Sequence, residues 1–331
     1  MSRSLQPLVR PVQFDTQEDP SRVVANAPQL NGTSRRLIID SLSMNSTRAV
    51  KADLKVFSDW GGQLPADETE IANFLSDQIQ SSGKKYSTVK RYANSLHLWH
   101  QMHGLASPVK GTYVRRVLKG MARTQDTRAN SAPALTPEHL RQLLSAISLE
   151  GVRDYRNYTM FCLAFFGAFR RGELVRLRID DVIFVDQGME LYIRDSKTNR
   201  SGRTEIKPLI ALPNTPELCP IYQLRRYIEM SGIPRGAIFR SVSTKGRQGA
   251  GALNDNSFYR ILKDALDQSG LSQQGYSPHS FRAGFITEAH RQGKRHHDIK
   301  KVSGHRDQTS IERHNRDEDA LPFVERDERR S

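Results

Sequence analysis

The sequence predicts a mainly α-helical chain of two domains, the second of which contains one small antiparallel β-sheet. Three observations support this fold class. Apolar residues recur at helical spacing through most of the chain, a stretch of linker composition separates residues 38–124 from residues 135–316, and three short β-type segments lie between positions 182 and 209. The flanking segments 1–37 and 317–331 are predicted to be a flexible N-terminal arm and a C-terminal tail.

Residues 38–124 are predicted to form a compact all-α domain. Its helices are expected to begin near Thr47, Asp67, Ser87 and Gly111. The aromatic side chains of this segment recur at helical spacing, so we assign them to the core rather than to base stacking.

Residues 125–134 have linker composition, and Leu135-Thr136-Pro137-Glu138 then begins a new helix with Pro at its first position. The three strands of the second domain are predicted at 182–185, 190–193 and 205–209. Further helices are expected near 216–231, 254–269, 279–292, 295–303 and 307–316.

The charge of the chain favours a polyanionic partner. Among its 331 residues, 50 Lys and Arg exceed 36 Asp and Glu, which gives a formal net charge of +14. Charge alone fits a solubility role equally well, but no acidic residue occurs between Gln78 and Gln125, whereas an ordinary surface mixes both signs. This stretch is therefore predicted to face DNA phosphates. The expected contacts are Lys84, Lys85, Lys90, Arg91, Arg115, Arg116 and Lys119.

Other functional classes find little support in the sequence. Cys162 and Cys219 are the only cysteines, too few for a disulfide scaffold or a cysteine-rich zinc site. The neighbouring pair His296-His297 would point in different directions on a helix, so no metal site is predicted there. No apolar run approaches a membrane span and the N-terminus lacks a secretory signal core, so we expect a cytoplasmic protein without a membrane partner.

Two pairs of residues have helical spacing and could contribute to phosphate binding, although each pair taken alone is common on protein surfaces. One continuous helix is predicted to contain Phe161 to Leu174, and it would place Arg170 and Glu173 on one face after an apolar lead-in. His279 and Arg282 have the same spacing on a helix that starts at a proline. Guanidinium groups suit this task because their planar fork can bind two phosphate oxygens at once. Arg171 is the competing arginine of the first pair, and we rank it second.

The blocks Gly167–Leu174, Ser277–Arg282 and Ser303–His305 together resemble the active site of the tyrosine recombinases, the phage-integrase and Cre-like enzymes that cut and rejoin DNA. The resemblance implies an N-terminal all-α core-binding (SAM-like) domain and a C-terminal tyrosine-recombinase catalytic domain. It also implies duplex DNA with specific recombination sites as the partner, a tetramer on DNA, and strand exchange through a covalent protein–DNA intermediate. No cofactor is expected, because exchanging one phosphodiester for another requires none.

The resemblance also implies a role for each matching residue. Arg170 and Arg282 would clamp the scissile phosphate, with Glu173 supporting the first arginine. His279 would exchange a proton with the nucleophile, and His305 would donate a hydrogen bond to the phosphate.

The hairpin segment Asp195–Gly202 matches the place where the family carries a mobile lysine. Lys197 would then be the general acid that protonates the leaving 5′ oxygen. Arg200 and Arg203 are expected to contact phosphates.

The chain departs from the family at its nucleophile. The family's tyrosine lies nine residues after the Gly-His histidine, and this chain has His314 there, with no tyrosine after Tyr276. Neutral imidazole is itself a competent nucleophile, so His314 could form the covalent link. Alternatively, the chain binds DNA without cutting it, as a naturally degenerate member or a disabled variant. A nucleophile from another subunit would not help if every copy is alike.

A third class of function also remains open. A helix-turn-helix regulator unrelated to recombination would be basic and helical as well. It would not depend on Arg170 or Arg282.

Overall fold

The computed structural model describes residues 31–41, 44–124, 132–194 and 204–304. Within these ranges the chain is mainly helical with small antiparallel sheets, which confirms the predicted fold class. The chain divides into two compact units, Met1–Ala129 and Asn130–Ser331. Most of the arm and of the linker, the helix expected near 307–316 and the tail lie outside the described residues.

The described part of the first unit is all helical. Its helices are α1 (Gly32–Ser41), α2 (Met44–Trp60), α3 (Glu68–Gln80), α4 (Tyr86–Met102) and α5 (Thr112–Thr124). Helix α3 begins where its N-cap, the Asp67 carboxylate, accepts a hydrogen bond from the Glu70 amide at 2.8 Å. Helix α1 starts inside the segment 1–37 that the sequence analysis assigned to the N-terminal arm.

The core of the first unit forms where α2 packs on α4 and α3 packs on α5. Its largest buried side chains come from these helices, namely Leu54, Phe57, Phe74 and Trp99. Trp60 lies at the margin of this core and donates its indole N–H to Asp77 at 3.0 Å. These aromatic residues therefore support packing, as predicted.

The second unit combines helices with two small sheets. Its described helices are α6 (Pro137–Ser145), α7 (Val152–Phe166), α8 (Arg171–Val175), α9 (Pro220–Ser231), α10 (Asp255–Gln268), α11 (Pro278–Arg291) and α12 (His296–Ser303). Its strands are β1 (Val182–Val185), β2 (Gly188–Ile193), β3 (Glu205–Ile210), β4 (Arg240–Val242) and β5 (Gln248–Ala252). Helix α7 is buried along most of its length and packs against both α9 and α11.

The predicted continuous helix through Phe161 to Leu174 was wrong. Helix α7 ends at Phe166, and the chain turns before α8 begins at Arg171. A Cβ at Gly167 would overlap the Phe169 ring and approach the Leu163 carbonyl, so this turn needs a glycine. Ala168 then adopts a left-handed backbone with φ of 45°, a conformation that L-residues rarely adopt.

Strands β1, β2 and β3 form one antiparallel sheet in that order, which confirms the three predicted strands. Its inner face carries Leu191, Lys207 and Leu209, all buried, whereas Ile206 and Ile210 on the opposite face are exposed. Strands β4 and β5 pair in a second sheet that the sequence analysis did not predict.

Helix α11 lies unusually close to the segment that opens the second unit. The Leu135 amide donates to the Ser280 carbonyl at 3.0 Å. A Cβ at Gly284 would overlap the Leu135 carbonyl, so only glycine permits this approach. Pro137 follows at the first position of α6, with Thr136 as its N-cap.

Candidate active site

Arg170 and Glu173 form a closed unit at the start of α8. Arg170 is the N-cap of this helix, and its backbone amide donates to Glu173 Oε2 at 3.1 Å. Its guanidinium donates to Glu173 Oε1 at 2.6 Å. The Arg170 side chain is 20% exposed and that of Glu173 only 2%, so the carboxylate holds the arginine from inside. One carboxylate thus fixes both the helix start and the guanidinium.

Arg282 reaches the same turn from α11. It is buried, and its guanidinium donates to the carbonyl of Ala168 at 2.8 Å. The left-handed backbone of Ala168 therefore belongs to a turn that carries Arg170 and accepts a hydrogen bond from Arg282. This contact brings the two arginine blocks together although they are separated by more than a hundred residues of sequence.

The charges of this cluster influence one another. Burial, and then the positive charge of Arg170, lower the pKa of Arg282 to about 9, so it remains cationic at neutral pH. Burial alone would raise the pKa of Glu173, but Lys207 and then Arg170 outweigh burial and lower it. Among the described residues, the cluster holds three cations and the two carboxylates of Glu173 and Glu205, an excess of positive charge that suits an anion.

His279 lies in the first turn of α11 and is exposed, three residues before Arg282. Arg171, the competing arginine, instead points toward α10, where its guanidinium lies 3.5 Å from Asn256 Oδ1. The last tyrosine of the chain, Tyr276, is buried, and its hydroxyl lies 2.8 Å from His139 Nδ1. Burial raises the pKa of Tyr276, which makes it a poor nucleophile.

Five predicted residues lie outside the described part of the chain: Lys197, Arg200, Arg203, His305 and His314. The elements that lead into two of these segments are described. Strand β3 leaves the Lys197 hairpin, and α12 ends just before His305. Strand β3 and helix α12 pack against each other.

Lys207 on β3 was not among the predicted site residues, yet it is fully buried beside this cluster. Its ammonium group donates to the carbonyl of Val302 at 2.5 Å and lies 3.4 Å from that of Gly167. It also lies 3.7 Å from Glu205 Oε1 and 5.3 Å from the centroid of the Phe169 ring. A lysine between Ile206 and Pro208 in a predicted strand gave no sign of burial.

The basic stretch of the first unit lies on α4, α5 and the turn before α4. The residues predicted to contact DNA are all exposed there: Lys84, Lys85, Lys90, Arg91, Arg115, Arg116 and Lys119. Arg91 differs from the others because its guanidinium lies 2.7 Å from the buried carboxylate of Asp53. Asp53 also accepts a hydrogen bond from Ser95 Oγ at 2.7 Å. Arg91 is therefore part of the packing between α2 and α4.

In the described ranges, no three His, Cys, Asp or Glu side chains are grouped as metal ligands would be. None of the helices described above is both long and apolar enough to cross a bilayer.

The sequence of the second unit decides the family. Residues 133–320 match the model of the phage integrase family, which is more than half of the chain. The chain belongs to the phage integrase family. This match includes the two arginine blocks, α12 and the segment that contains His314.

Curated relatives of this integrase-family chain are named as recombinases. It is 29% identical over 276 residues to an integrase/recombinase xerD homolog of Selenomonas ruminantium, a match that covers 80% of each chain. It is 24% identical over 248 residues to the recombinase cre of Escherichia phage P1, a match that covers 70% of each.

Solved integrase structures share the fold. A lambda integrase dimer bound to a COC′ core site superimposes with a TM-score of 0.60 at 18% identity, covering 88% of this chain and 78% of that chain. A post-cleavage complex of the XerH site-specific recombinase with a palindromic difH substrate gives a TM-score of 0.60 at 17% identity, covering 88% and 83%. At these identities the likeness establishes the fold of this family member.

Proposed function

We propose that this chain is a site-specific DNA recombinase that cleaves and rejoins duplex DNA by phosphoryl transfer. The observation that supports this function best is the meeting of Arg170 and Arg282 at one turn, with Glu173 holding the first. Two guanidinium groups, the first held by Glu173 and the second by the Ala168 carbonyl, form a site for the non-bridging oxygens of a phosphodiester. Similar solved proteins are described as bound to a core site and to a Holliday junction, which supports duplex DNA as the substrate and a tetramer as the assembly.

The proposed reaction begins with a nitrogen of the neutral His314 imidazole attacking the phosphorus atom. A nitrogen–phosphorus bond forms, the bond to the 5′ oxygen breaks, and that oxygen takes a proton from the Lys197 ammonium. The proton left on the other ring nitrogen of His314 passes to His279. Attack of a new 5′ hydroxyl on the same phosphorus reverses each step and reseals the strand.

A nicked duplex tests this function directly. The target sequence is first selected from a random duplex library, and a nick placed near the cleavage position then lets the 5′-hydroxyl fragment leave. We expect a covalent protein–DNA adduct that survives denaturing electrophoresis but is hydrolysed in mild acid, because phosphoramidate bonds to imidazole are acid-labile. The His314→Tyr variant should give an acid-stable adduct, and His314→Ala should give none.

The residue at position 314 also favours a second function, that of a DNA-binding protein that does not cut. Tight binding of the selected duplex with no adduct from the natural chain would assign the chain to this class. An adduct from His314→Tyr in the same assay would show that only the nucleophile is missing. Unchanged binding and adduct formation after both Arg170→Ala and Arg282→Ala would contradict both functions.

A further inference from the structure

Lys207 is unusual among the described residues of the second unit because its charged side chain is fully buried. It occupies an inward-facing position of β3, where it is 0% exposed, between neighbours on the same strand that face solvent. Burying an ammonium group is costly unless it is paired and hydrogen-bonded. Its surroundings therefore indicate what this lysine does.

The contacts of Lys207 join three separate parts of the candidate active site. The Gly167 carbonyl belongs to the turn that carries Arg170, and the Val302 carbonyl belongs to the last turn of α12, just before His305. The lysine itself stands on the strand that follows the Lys197 hairpin. One ammonium group thus connects the segments that lead to three proposed site residues. These are the clamp arginine Arg170, the general acid Lys197, and His305, which would donate a hydrogen bond to the phosphate.

A second contact between β3 and the end of α12 involves Glu205 and Gly304. Glu205, two residues earlier on β3, lies against Gly304 so closely that a Cβ at Gly304 would overlap its carboxylate. Gly304 also has φ of 64°, a left-handed conformation that ends α12. The end of α12 therefore meets β3 at two points, through the hydrogen bond to Val302 and through close packing at Gly304.

Four charged groups influence Lys207. Glu173 and Glu205 favour its cationic form, whereas Arg282 and Arg170 oppose it. The lysine consequently adds a third positive charge to the arginine pair.

We propose that Lys207 is a positioning residue for phosphodiester binding, which ties the turn before Arg170 to the end of α12 and adds a positive charge to the site. This proposal rests on the proposed function, because the phosphate to be bound is that of DNA. Nothing in the family resemblance assigns a role to this position.

A pH dependence follows from this arrangement. Burial is the main cause that lowers the pKa of Lys207 to about 8. A bound phosphate favours the cationic lysine, so DNA affinity should be full below this value and should fall as pH rises through it. The pKa of Arg282 is about 9, so loss of its charge would weaken binding only at higher pH than the decline that Lys207 produces near pH 8.

The test compares the full-length protein with Lys207→Met, Lys207→Arg and the control Lys245→Met, which removes one charge from an exposed turn. Binding of the selected duplex is measured by fluorescence anisotropy from pH 6.5 to 9.5. We expect Lys207→Met to bind roughly tenfold more weakly at pH 7 and to lack the decline near pH 8, because a hydrogen-bonded charge is lost. Lys207→Arg should recover the affinity at pH 7 and lack the decline near pH 8, so that its affinity falls only near the pKa of Arg282.

A second measurement does not depend on DNA. Hydrogen exchange of the free protein should be faster in Lys207→Met at the Gly304 amide, which donates to the Lys300 carbonyl, and at the turn 167–170. Exchange should be unchanged in α2 to α5.

The proposal would be overturned if the exchange rates and the pH profile of Lys207→Met equalled those of the natural chain or of Lys245→Met. Should Lys207→Met fail to fold, an unshifted pH profile in Lys207→Arg would overturn it equally. Absence of duplex binding in the natural chain would refute the proposed function, and the exchange result would still decide the positioning role.

Discussion

Glu173 shows how much one buried carboxylate can organise. It caps α8, holds the Arg170 guanidinium and lies close enough to Lys207 for their charges to interact. Without it, two arginines and a lysine would stand together with Glu205 as the remaining acidic neighbour of Lys207. The site therefore depends on this carboxylate for stability as well as for geometry.

Replacing Glu173 with Gln should lower the free energy of unfolding at pH 7 by about 3 kcal/mol, because a buried ion pair loses one partner. The pKa of Glu173 is lowered in the folded chain, so its stabilisation is present above the unfolded value near 4.5 and is lost as pH falls through the folded value. The difference between natural chain and variant should therefore shrink in acid. Urea denaturation at pH 7 and pH 4 measures it. The exposed control Glu229→Gln should change stability by less than about 0.5 kcal/mol, and equal effects of the two variants would contradict this account.

At the scale of elements, two helical glycines have opposite functions. Gly284 on α11 lets the Leu135 carbonyl approach, whereas a Cβ at Gly120 on α5 would meet nothing within 4 Å. Gly284 thus sets the distance between α11 and the start of the second unit. Gly120 lies at an exposed position of α5, where it only adds backbone freedom.

Gly284→Ala should therefore destabilise the chain by about 1–3 kcal/mol through overpacking, while Gly120→Ala should stabilise it by up to about 1 kcal/mol through helix propensity. Thermal unfolding of the two variants provides the comparison. A Gly284→Ala protein as stable as Gly120→Ala would show that Leu135 moves aside at no cost.

The elements also show where sequence reasoning succeeds. Strand β1 begins and ends where it was predicted, because a run of β-branched and aromatic residues is bounded by acidic turns. The break between α7 and α8 was missed, because helical spacing continues through it and the Phe169 ring packing on Gly167 is a tertiary contact. Strand β5 was missed because Gln248-Gly249-Ala250-Gly251-Ala252 has no strand propensity of its own.

The candidate site divides in the same way. Arg170, Glu173 and Arg282 were selected from their spacing together with the resemblance to the tyrosine recombinases, and the described structure brings them together. Lys207 escaped notice because apolar alternation in β3 predicts Ile206 inside and Lys207 outside, the reverse of what is found. The ammonium group is accommodated by the carbonyls of Gly167 and Val302 and by the charges of Glu173 and Glu205, and contacts with distant segments cannot be read from the alternation of one strand.

At the scale of the whole molecule, the net charge of +14 is expected to act through a few exposed cations of the first unit. These cations are not equivalent. Arg116 on α5 is exposed, whereas Arg91 on α4 pairs with the buried Asp53. Burial raises the pKa of Asp53 although Ser95 and Arg91 oppose this effect.

Arg116→Ala should leave folding intact and reduce the slope of log affinity against log salt by about 0.9, the value for one phosphate contact. Arg91→Ala should lower the free energy of unfolding, because Asp53 loses its cation. Anisotropy titrations at several salt concentrations, paired with denaturation curves, separate the two effects. A lower unfolding free energy for Arg116→Ala, or none for Arg91→Ala, would reverse this assignment.

The pairing of Pro208 with Glu190 has a consequence for how copies of the chain behave in solution. Strand β3 is an edge strand of its described sheet, and Ile206 and Ile210 form an exposed apolar face on it. A proline supplies no N–H, so a foreign strand that tried to extend the sheet across this border would find a donor missing. Pro208 thus disfavours the addition of another strand at this edge of the sheet.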